Sequence, residues 1–165
     1  MESKKEASSE QESPSAKTVH IIHIVSAATI AATSMLDGLL LHISAPITGI
    51  IPWYVNLGLF IFFIVLSLPF MIRAYRTLYG GGKSGPDHLI TDGIFAQVRN
   101  PMYFGIILIY LAVVVLSMSL ITLVVWIVII FIYNWLSNQE EKVLEDIYKD
   151  DYPEYKKRTS KWVPR

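Results

Sequence analysis

The residues best suited to chemistry lie in two polar segments on either side of a long apolar run. The first is LITDGIFAQVRNPMYFG, residues 89–105, and the second covers residues 139–164 and begins near two adjacent glutamates. Arginine presents a fixed positive fork that suits a carboxylate, and glutamate suits an ammonium group or a diol. If the apolar run folds as a helical hairpin, both segments meet at one end of it. The sequence therefore predicts a single site built from both segments.

The first segment ends in Arg99-Asn100-Pro101, immediately before the apolar run. Proline fits the first turn of a helix, where its missing N–H would have no partner in any case. Asn100 is then a capping residue, and Arg99 carries a fixed charge at the membrane surface. The alternative role for Arg99 is an interfacial anchor to lipid phosphate, and the residue type alone favours neither role.

Glu140 and Glu141 stand where the apolar run gives way to polar sequence. Neighbouring residues on a helix point about 100° apart, so one carboxylate is expected to face the bundle mouth and the other water. A pair on a solvated helix turn is the alternative, and it has equal support at this point.

The elements that position these segments are apolar and long. Of 165 residues, 53% are hydrophobic and only 17% are charged, compared with about 25% charged in typical soluble domains. Residues 19–43 and 55–72 match the roughly 20 residues that cross a bilayer. Residues 103–136 would form one helix about 50 Å long, too long for one crossing, whereas a turn at 117–119 makes a hairpin. We expect an all-α polytopic membrane protein with about four transmembrane helices and a C-terminal amphipathic, cytosolic helical segment.

The basic residues lie on one side of the predicted set of transmembrane helices. The 14 basic residues divide into three before the first span, four between the second and third, and seven after the fourth. The positive-inside rule then places both termini and the mouth of the site on the cytoplasmic face. We divide the chain into a disordered polar tail (1–18), two transmembrane helices (19–72) and a catalytic region (73–165). The zero net charge gives no support for nucleic-acid binding, and the absence of cysteine excludes disulfides and thiolate chemistry.

The two polar segments carry a family resemblance. LITDGIFAQVRNPMYFG resembles the L-V-x-x-G-x-Y-x-x-V-R-H-P-x-Y-x-G pattern of the isoprenylcysteine carboxyl methyltransferase family, whose wider group includes phospholipid N-methyltransferases. EEKVLEDIYKDDYPEYKKRTSKWVP resembles the ending of the same family, E-E-x-x-L followed by F-G-x-E-Y-x-E-Y-x-x-R and a late proline. The resemblance covers roughly the last half of the chain, and it favours the hairpin.

This resemblance implies an S-adenosylmethionine-dependent methyltransferase with a lipophilic or prenylated acceptor, working among membrane lipids. It implies catalytic roles for Arg99 and Arg158. It also implies a cofactor site formed by Gly93, Arg99, Asn100, Pro101, Tyr103, Gly105, Glu140 and Glu141, with no metal. Asn100 stands where the family usually has histidine, and asparagine cannot titrate. Any role that needs an imidazole proton is therefore in doubt.

Other functions remain open from the sequence. A lipid amine N-methyltransferase is the nearest, although Tyr155-Lys156-Lys157-Arg158 favours the carboxyl-methylating branch. A noncatalytic membrane adaptor, a small transporter subunit and a sterol-reductase relative are further alternatives. The glycine run at 80–84 is interpreted as a connector. The acceptor, the oligomeric state and the roles of His20, His23, Asp37 and His42, which do not favour a metal site, are not specified by the sequence.

Overall fold

The computed structural model describes residues 15–44, 49–79 and 88–164, and the fold of this part of the chain is all-α, as predicted. The helices are α1, Ala16–Leu36; α2, Trp53–Tyr79; α3, Pro101–Ser117; α4, Leu120–Ile147; and α5, Asp151–Arg158. A π-helical turn, Asp37–Leu41, continues α1, and a 3-10 turn, Gly93–Ala96, precedes α3. Most of the predicted polar tail and the glycine run lie outside the described residues.

Three helical segments are long and apolar enough to cross a membrane: Lys17–Leu41, Trp53–Leu78 and Leu120–Ile147. Helix α3 is also apolar but has 17 residues, a length of about 25 Å against a hydrocarbon core of about 30 Å. Large apolar side chains face outward, including Trp53 at 74% exposure and Phe131 at 68%. An exterior of this kind suits lipid rather than water. The prediction of an all-α membrane protein is confirmed, with three helices long enough to cross the bilayer, and a fourth crossing by α3 stays a prediction.

The first span begins at a serine cap, and near its other end an aspartate side chain binds the chain that follows. The Ser15 hydroxyl accepts from the Thr18 amide at 3.3 Å. At the other end, the Asp37 carboxylate accepts from the Ile43 amide at 3.0 Å and from the Ser44 hydroxyl at 2.5 Å. The Ser44 hydroxyl accepts in turn from the Leu120 amide at 2.8 Å. Asp37 is therefore a structural residue that joins the end of α1 to the start of α4.

The long apolar run forms a hairpin, as predicted. Helix α3 ends at Ser117, and the next residue, Met118, has a left-handed φ of 51°. Ser119 caps α4 by accepting from the Thr122 amide at 3.1 Å. Helix α4 is 28 residues long and continues past the end of the apolar run. Both glutamates of the candidate site therefore lie on the same continuous helix, near its C-terminal end.

Helices α2 and α3 approach closely at Gly105. A Cβ at this position would lie 2.7 Å from the Met71 Cγ and 3.4 Å from the Ser67 carbonyl oxygen. Beside this contact, the Phe70 and Phe104 rings meet edge to face with centroids 4.9 Å apart. The glycine thus has a packing role, because only a residue without a side chain allows α3 to lie this near α2.

The C-terminal segment folds back onto the loop that precedes α3. Val98 and Ser160 form a parallel bridge, and the Arg99 amide donates to the Ser160 carbonyl at 2.9 Å. The Tyr155 hydroxyl donates to the Phe95 carbonyl at 2.7 Å. These contacts bring the two polar segments of the sequence together at the end of the α3–α4 hairpin.

Candidate active site

A buried ion pair joins the two polar segments. The Arg99 guanidinium contacts the Glu141 carboxylate at 3.2 Å (Nε to Oε1) and 3.4 Å (Nη2 to Oε2). Their side chains are only 9% and 7% exposed. Two parallel N–H···O contacts give the pair a fixed orientation as well as charge compensation. Arg99 is thus held inside the protein and is not an interfacial lipid anchor.

The rest of the Arg99 guanidinium is also engaged. Its Nη1 donates to the Thr159 carbonyl at 2.5 Å and to the Lys156 carbonyl at 3.1 Å. Both acceptors lie at the end of α5 and just after it. Arg99 therefore clamps the C-terminal segment to α4, and its donors are largely occupied by the protein itself.

Asn100 occupies the N-cap position of α3 as predicted, but its side chain makes no capping hydrogen bond. Instead, its Nδ2 donates to the Glu141 Oε1 at 3.2 Å and to the Lys161 carbonyl at 3.5 Å. A charged carboxylate is the stronger acceptor, which explains the direction of the amide. Asn100 thus supports the Glu141 carboxylate, a role that needs a donor and no titrating proton.

The two adjacent glutamates have different surroundings. Glu141 is 5% exposed and has Arg99 and, at 3.7 Å, the Lys156 ammonium as cationic partners. Glu140 is half-buried and accepts a short hydrogen bond from the Tyr103 hydroxyl, and no described residue pairs with it as a cation. Glu141 is therefore the buried member of the pair and Glu140 the partly exposed one, and which of them faces the mouth of the bundle stays a prediction. Glu141 is thus compensated by cations, whereas Glu140 has no cationic partner among the described residues.

A group of aromatic residues lies beneath Glu140. Tyr103, Tyr110 and Tyr133 belong to the buried core between the helices. The His23 Nδ1 lies 2.7 Å from the Tyr133 hydroxyl, and its ring is 5.8 Å from that of Tyr103. His23 thus links α1 to the site. Tyr103 was expected from the sequence, whereas Tyr110 and Tyr133 were not, although Tyr103 and Tyr110, like Tyr133 and Glu140, are spaced by seven residues and so share helix faces.

Lys161 is a further residue of the site that was not expected from the sequence. Its ammonium donates to the Asn134 Oδ1 at 3.0 Å and to the Asn138 Oδ1 at 2.5 Å, both on α4. Burial lowers the pKa of the Lys161 ammonium, and the Glu141 carboxylate opposes this shift. The asparagines are four residues apart, a spacing that places both on one helix face and would have indicated a shared partner.

Two buried tyrosines of α5 cover the Arg99–Glu141 pair. Burial raises the pKa of Tyr155 to about 12 and also raises that of Tyr152, with the Arg99 guanidinium lowering both in part. The two rings pack edge to face at 5.8 Å. The ion pair is therefore shielded from water on this side, which strengthens the attraction between its members.

The remaining site candidates lie in different places. Pro101 occupies the first turn of α3 as predicted. Gly93 has a φ of +60°, and a Cβ there would lie 3.0 Å from the Thr77 Oγ1. Arg158 is 65% exposed and pairs with Glu154 at 3.8 Å on the surface of α5. The structure thus brings together Arg99, Asn100, Tyr103, Glu140 and Glu141, and it leaves Gly93, Gly105 and Arg158 outside this cluster of side-chain contacts.

Comparison with known proteins agrees with the resemblance noted above. The sequence matches the phospholipid methyltransferase family over residues 55–151, which is more than half of the chain. This chain belongs to the phospholipid methyltransferase family. The matched range includes nearly all of α2, the Arg99 loop, the α3–α4 hairpin and both glutamates.

Within this wider group, the chain is similar to Protein-S-isoprenylcysteine O-methyltransferase of Schizosaccharomyces pombe. The two are 33% identical over 88 residues, which is 50% of this chain and 36% of that protein. The chain therefore matches only about a third of the length of this relative. No solved structure matches the chain.

The residues at the site fit part of the cofactor that the family implies. S-adenosylmethionine carries an ammonium and a sulfonium, and a half-buried carboxylate without a cationic partner suits a positive group. Glu140 has this character, whereas Glu141 does not, because Arg99 and Lys156 already compensate it.

Proposed function

We propose that this chain is an integral membrane methyltransferase that uses S-adenosylmethionine and acts on a lipophilic acceptor with a carboxylate. The observation that carries the proposal is the unmatched carboxylate of Glu140, hydrogen-bonded only to Tyr103 among the described residues, within a family of methyltransferases. The similarity to an isoprenylcysteine O-methyltransferase supports a carboxylate as the acceptor.

The cofactor, when bound, supplies an activated methyl group on a sulfonium. Glu140 holds the positively charged end of the ligand, and the Tyr103 hydroxyl fixes the orientation of the Glu140 carboxylate. Arg99, with Asn100, holds Glu141 and the C-terminal segment in place, so it is a positioning residue and not the group that binds the acceptor. Methyl transfer is an in-line displacement that depends mainly on positioning, so the site needs rigidity more than a strong acid or base.

A carboxylate acceptor needs no base, because it is already ionised at neutral pH. The buried aromatic group around Tyr103 and Tyr133 keeps water away from the Glu140 side of the site. Exclusion of water strengthens the attraction between a sulfonium and an incoming carboxylate. The acceptor is expected to enter from the lipid, since the helices around the site present apolar side chains outward.

A lipid amine is the second candidate acceptor, and one observation favours it. Arg99 is occupied by Glu141 and by two carbonyls, and Arg158 is exposed on α5, so neither presents a free guanidinium beside Glu140 to orient a carboxylate. An amine acceptor would lose a proton, and Glu140 is the carboxylate positioned to take it.

The test is methyl transfer from methyl-labelled S-adenosylmethionine in membranes containing the protein. A base-labile labelled product indicates a methyl ester, and a base-stable product indicates a methylated amine. The Glu140→Gln variant is expected to lose cofactor binding by about tenfold or more, because one charge-assisted contact is removed. If neither a prenyl-thioether nor a lipid acceptor is labelled and Glu140→Gln binds cofactor normally, the proposal is wrong and a noncatalytic membrane role is favoured.

We also propose that the mouth of the site faces the cytoplasm, as the positions of the basic residues indicate. Because the chain has no cysteine, single cysteines report topology without background. Gly49→Cys and Lys157→Cys are expected at opposite faces. A membrane-impermeant maleimide should label Gly49→Cys from outside intact cells and Lys157→Cys only after lysis, and the reverse pattern would overturn this orientation.

A further inference from the structure

An open cavity lies on the side of the Arg99 loop that faces α2, apart from the Glu140 carboxylate. Its volume is about 370 Å³, and it is lined by Arg73, Arg76, Thr77, Gly93, Ile94 and Gln97. None of these residues bonds to Glu140 or to its partner Tyr103. The cavity therefore belongs to a part of the molecule that the methyl-transfer site leaves unexplained.

The cavity has a marked positive character. Arg73 and Arg76 are three residues apart on α2, so their side chains share one face of the helix. Both are exposed, and within the described residues neither guanidinium has a carboxylate or carbonyl partner. Two adjacent guanidiniums without a counter-charge repel each other, and a shared anion relieves this repulsion.

The shape of the cavity depends on a glycine. Gly93 has a φ of +60°, and a Cβ there would lie 3.0 Å from the Thr77 Oγ1, on the wall between α2 and the 3-10 turn. The Thr77 hydroxyl donates to the Arg73 carbonyl at 2.9 Å, so it forms a wall of the cavity. The exposed Gln97 side chain supplies an amide donor on the opposite side.

The position of the cavity indicates the class of ligand. Arg73 and Arg76 stand in the last two turns of a helix that is long and apolar enough to cross a membrane, Trp53–Leu78. Arginines at such a position lie at the level of lipid head groups, where phosphate is the abundant anion. A phosphoryl group offers several acceptor oxygens to two guanidiniums and an amide.

We propose that Arg73, Arg76 and Gln97 form a binding site for a phosphoryl group, walled by Gly93 and Thr77 and distinct from the Glu140 site. A membrane lipid with a phosphomonoester head group is one source of this chemistry, and inorganic phosphate is the other. The ligand bridges α2 and the turn that leads to Arg99, and so it steadies the loop of the methyl-transfer site from outside.

The test is direct binding to the full chain in detergent micelles, measured by calorimetry and by the shift in unfolding temperature. The probes are dihexanoyl phosphatidic acid, dihexanoyl phosphatidylcholine and inorganic phosphate. The Arg73→Gln/Arg76→Gln variant is expected to bind phosphatidic acid at least about tenfold more weakly. Binding of phosphatidic acid without inorganic phosphate assigns the lipid as the source, and equal binding of both assigns the free anion.

Three further variants separate a shaped site from simple attraction to an arginine-rich surface. Gln97→Glu and Lys142→Gln each change the net charge by −1, but only the first alters the cavity. Gln97→Glu is expected to abolish binding, and Lys142→Gln to leave it unchanged. Gly93→Ala should weaken binding with no change of charge. Equal losses in Gln97→Glu and Lys142→Gln, or failure of the natural chain to bind either phosphate probe, would overturn the proposal. Because the readout is binding, the result is independent of methyl transfer.

Discussion

Arg99 and Glu141 form a buried, two-contact ion pair across 42 residues of sequence, and it joins the loop before α3 to the end of α4. The same guanidinium also binds two carbonyls of the C-terminal segment. One arginine therefore holds together three segments around the candidate site.

Arg99→Ala is expected to destabilise the protein by about 3–5 kcal/mol, because it leaves the buried Glu141 carboxylate without its main partner. The free energy of unfolding in detergent micelles provides the measurement. Arg158→Ala is the matched control, since its exposed pair with Glu154 contributes about 0.3–0.5 kcal/mol or less. A similar loss in both variants would show that Arg99 is no more than a surface charge.

Tyr103→Phe is expected to weaken cofactor binding by about fivefold with little change in stability, because it removes one hydrogen bond to Glu140. Calorimetric titration with S-adenosylhomocysteine, which keeps the ammonium, measures this effect. Tyr110→Phe is the control, because Tyr110 lies on the same face of α3 but its hydroxyl bonds to the His23 carbonyl at 3.3 Å. Equal effects of the two substitutions would remove Tyr103 from the site.

Gly105→Ala is expected to destabilise the bundle by about 1–3 kcal/mol, because its new methyl group meets the Met71 side chain. A second substitution, Met71→Ala, provides the space and should restore much of the lost stability in the double variant. Unfolding of the four proteins of this cycle in detergent gives the coupling between the two positions. Purely additive losses would contradict the close packing of α2 against α3.

Raising the pH above about 10 is expected to destabilise the protein through Tyr155. Burial raises its pKa to about 12, so the folded state keeps the proton while the unfolded state loses it. The stabilising contribution is complete below pH 10 and is lost as the pH rises towards 12. Tyr155→Phe should show a shallower loss over this range, together with lower stability at pH 8 because its bond to Phe95 is absent. An unchanged slope in the variant would refute this role.

The sequence predicted the hairpin and the meeting of the two polar segments, because these depend on apolar length and on turn residues. Ser119, for example, caps α4, and serine is a residue type that commonly occupies the N-cap position. The pairing within the site is different. Whether Glu140 or Glu141 forms the ion pair with Arg99 depends on how α5 packs against α4. No local sequence pattern encodes that packing. Arg158 illustrates the same limit, because it matches the family pattern in sequence while its side chain lies at the surface.

Gly105 shows a further reason why sequence reasoning was incomplete. A glycine in a motif suggests contact with a ligand, but at this position it allows close packing of two helices. Packing depends on the partner helix, whose register along α3 is a tertiary property. His23 was difficult for the same reason, since its partner Tyr133 is 110 residues away in the chain.

The contact between Val98 and Ser160 has a consequence for the order in which the molecule is made. During synthesis the Arg99 loop is made before the residues that it binds, and the whole α3–α4 hairpin is made between the two. The site can therefore close only as a late step of biogenesis. A chain that stalls after the hairpin has inserted would have its apolar helices in place while Arg99 still lacks the carbonyls of Lys156 and Thr159.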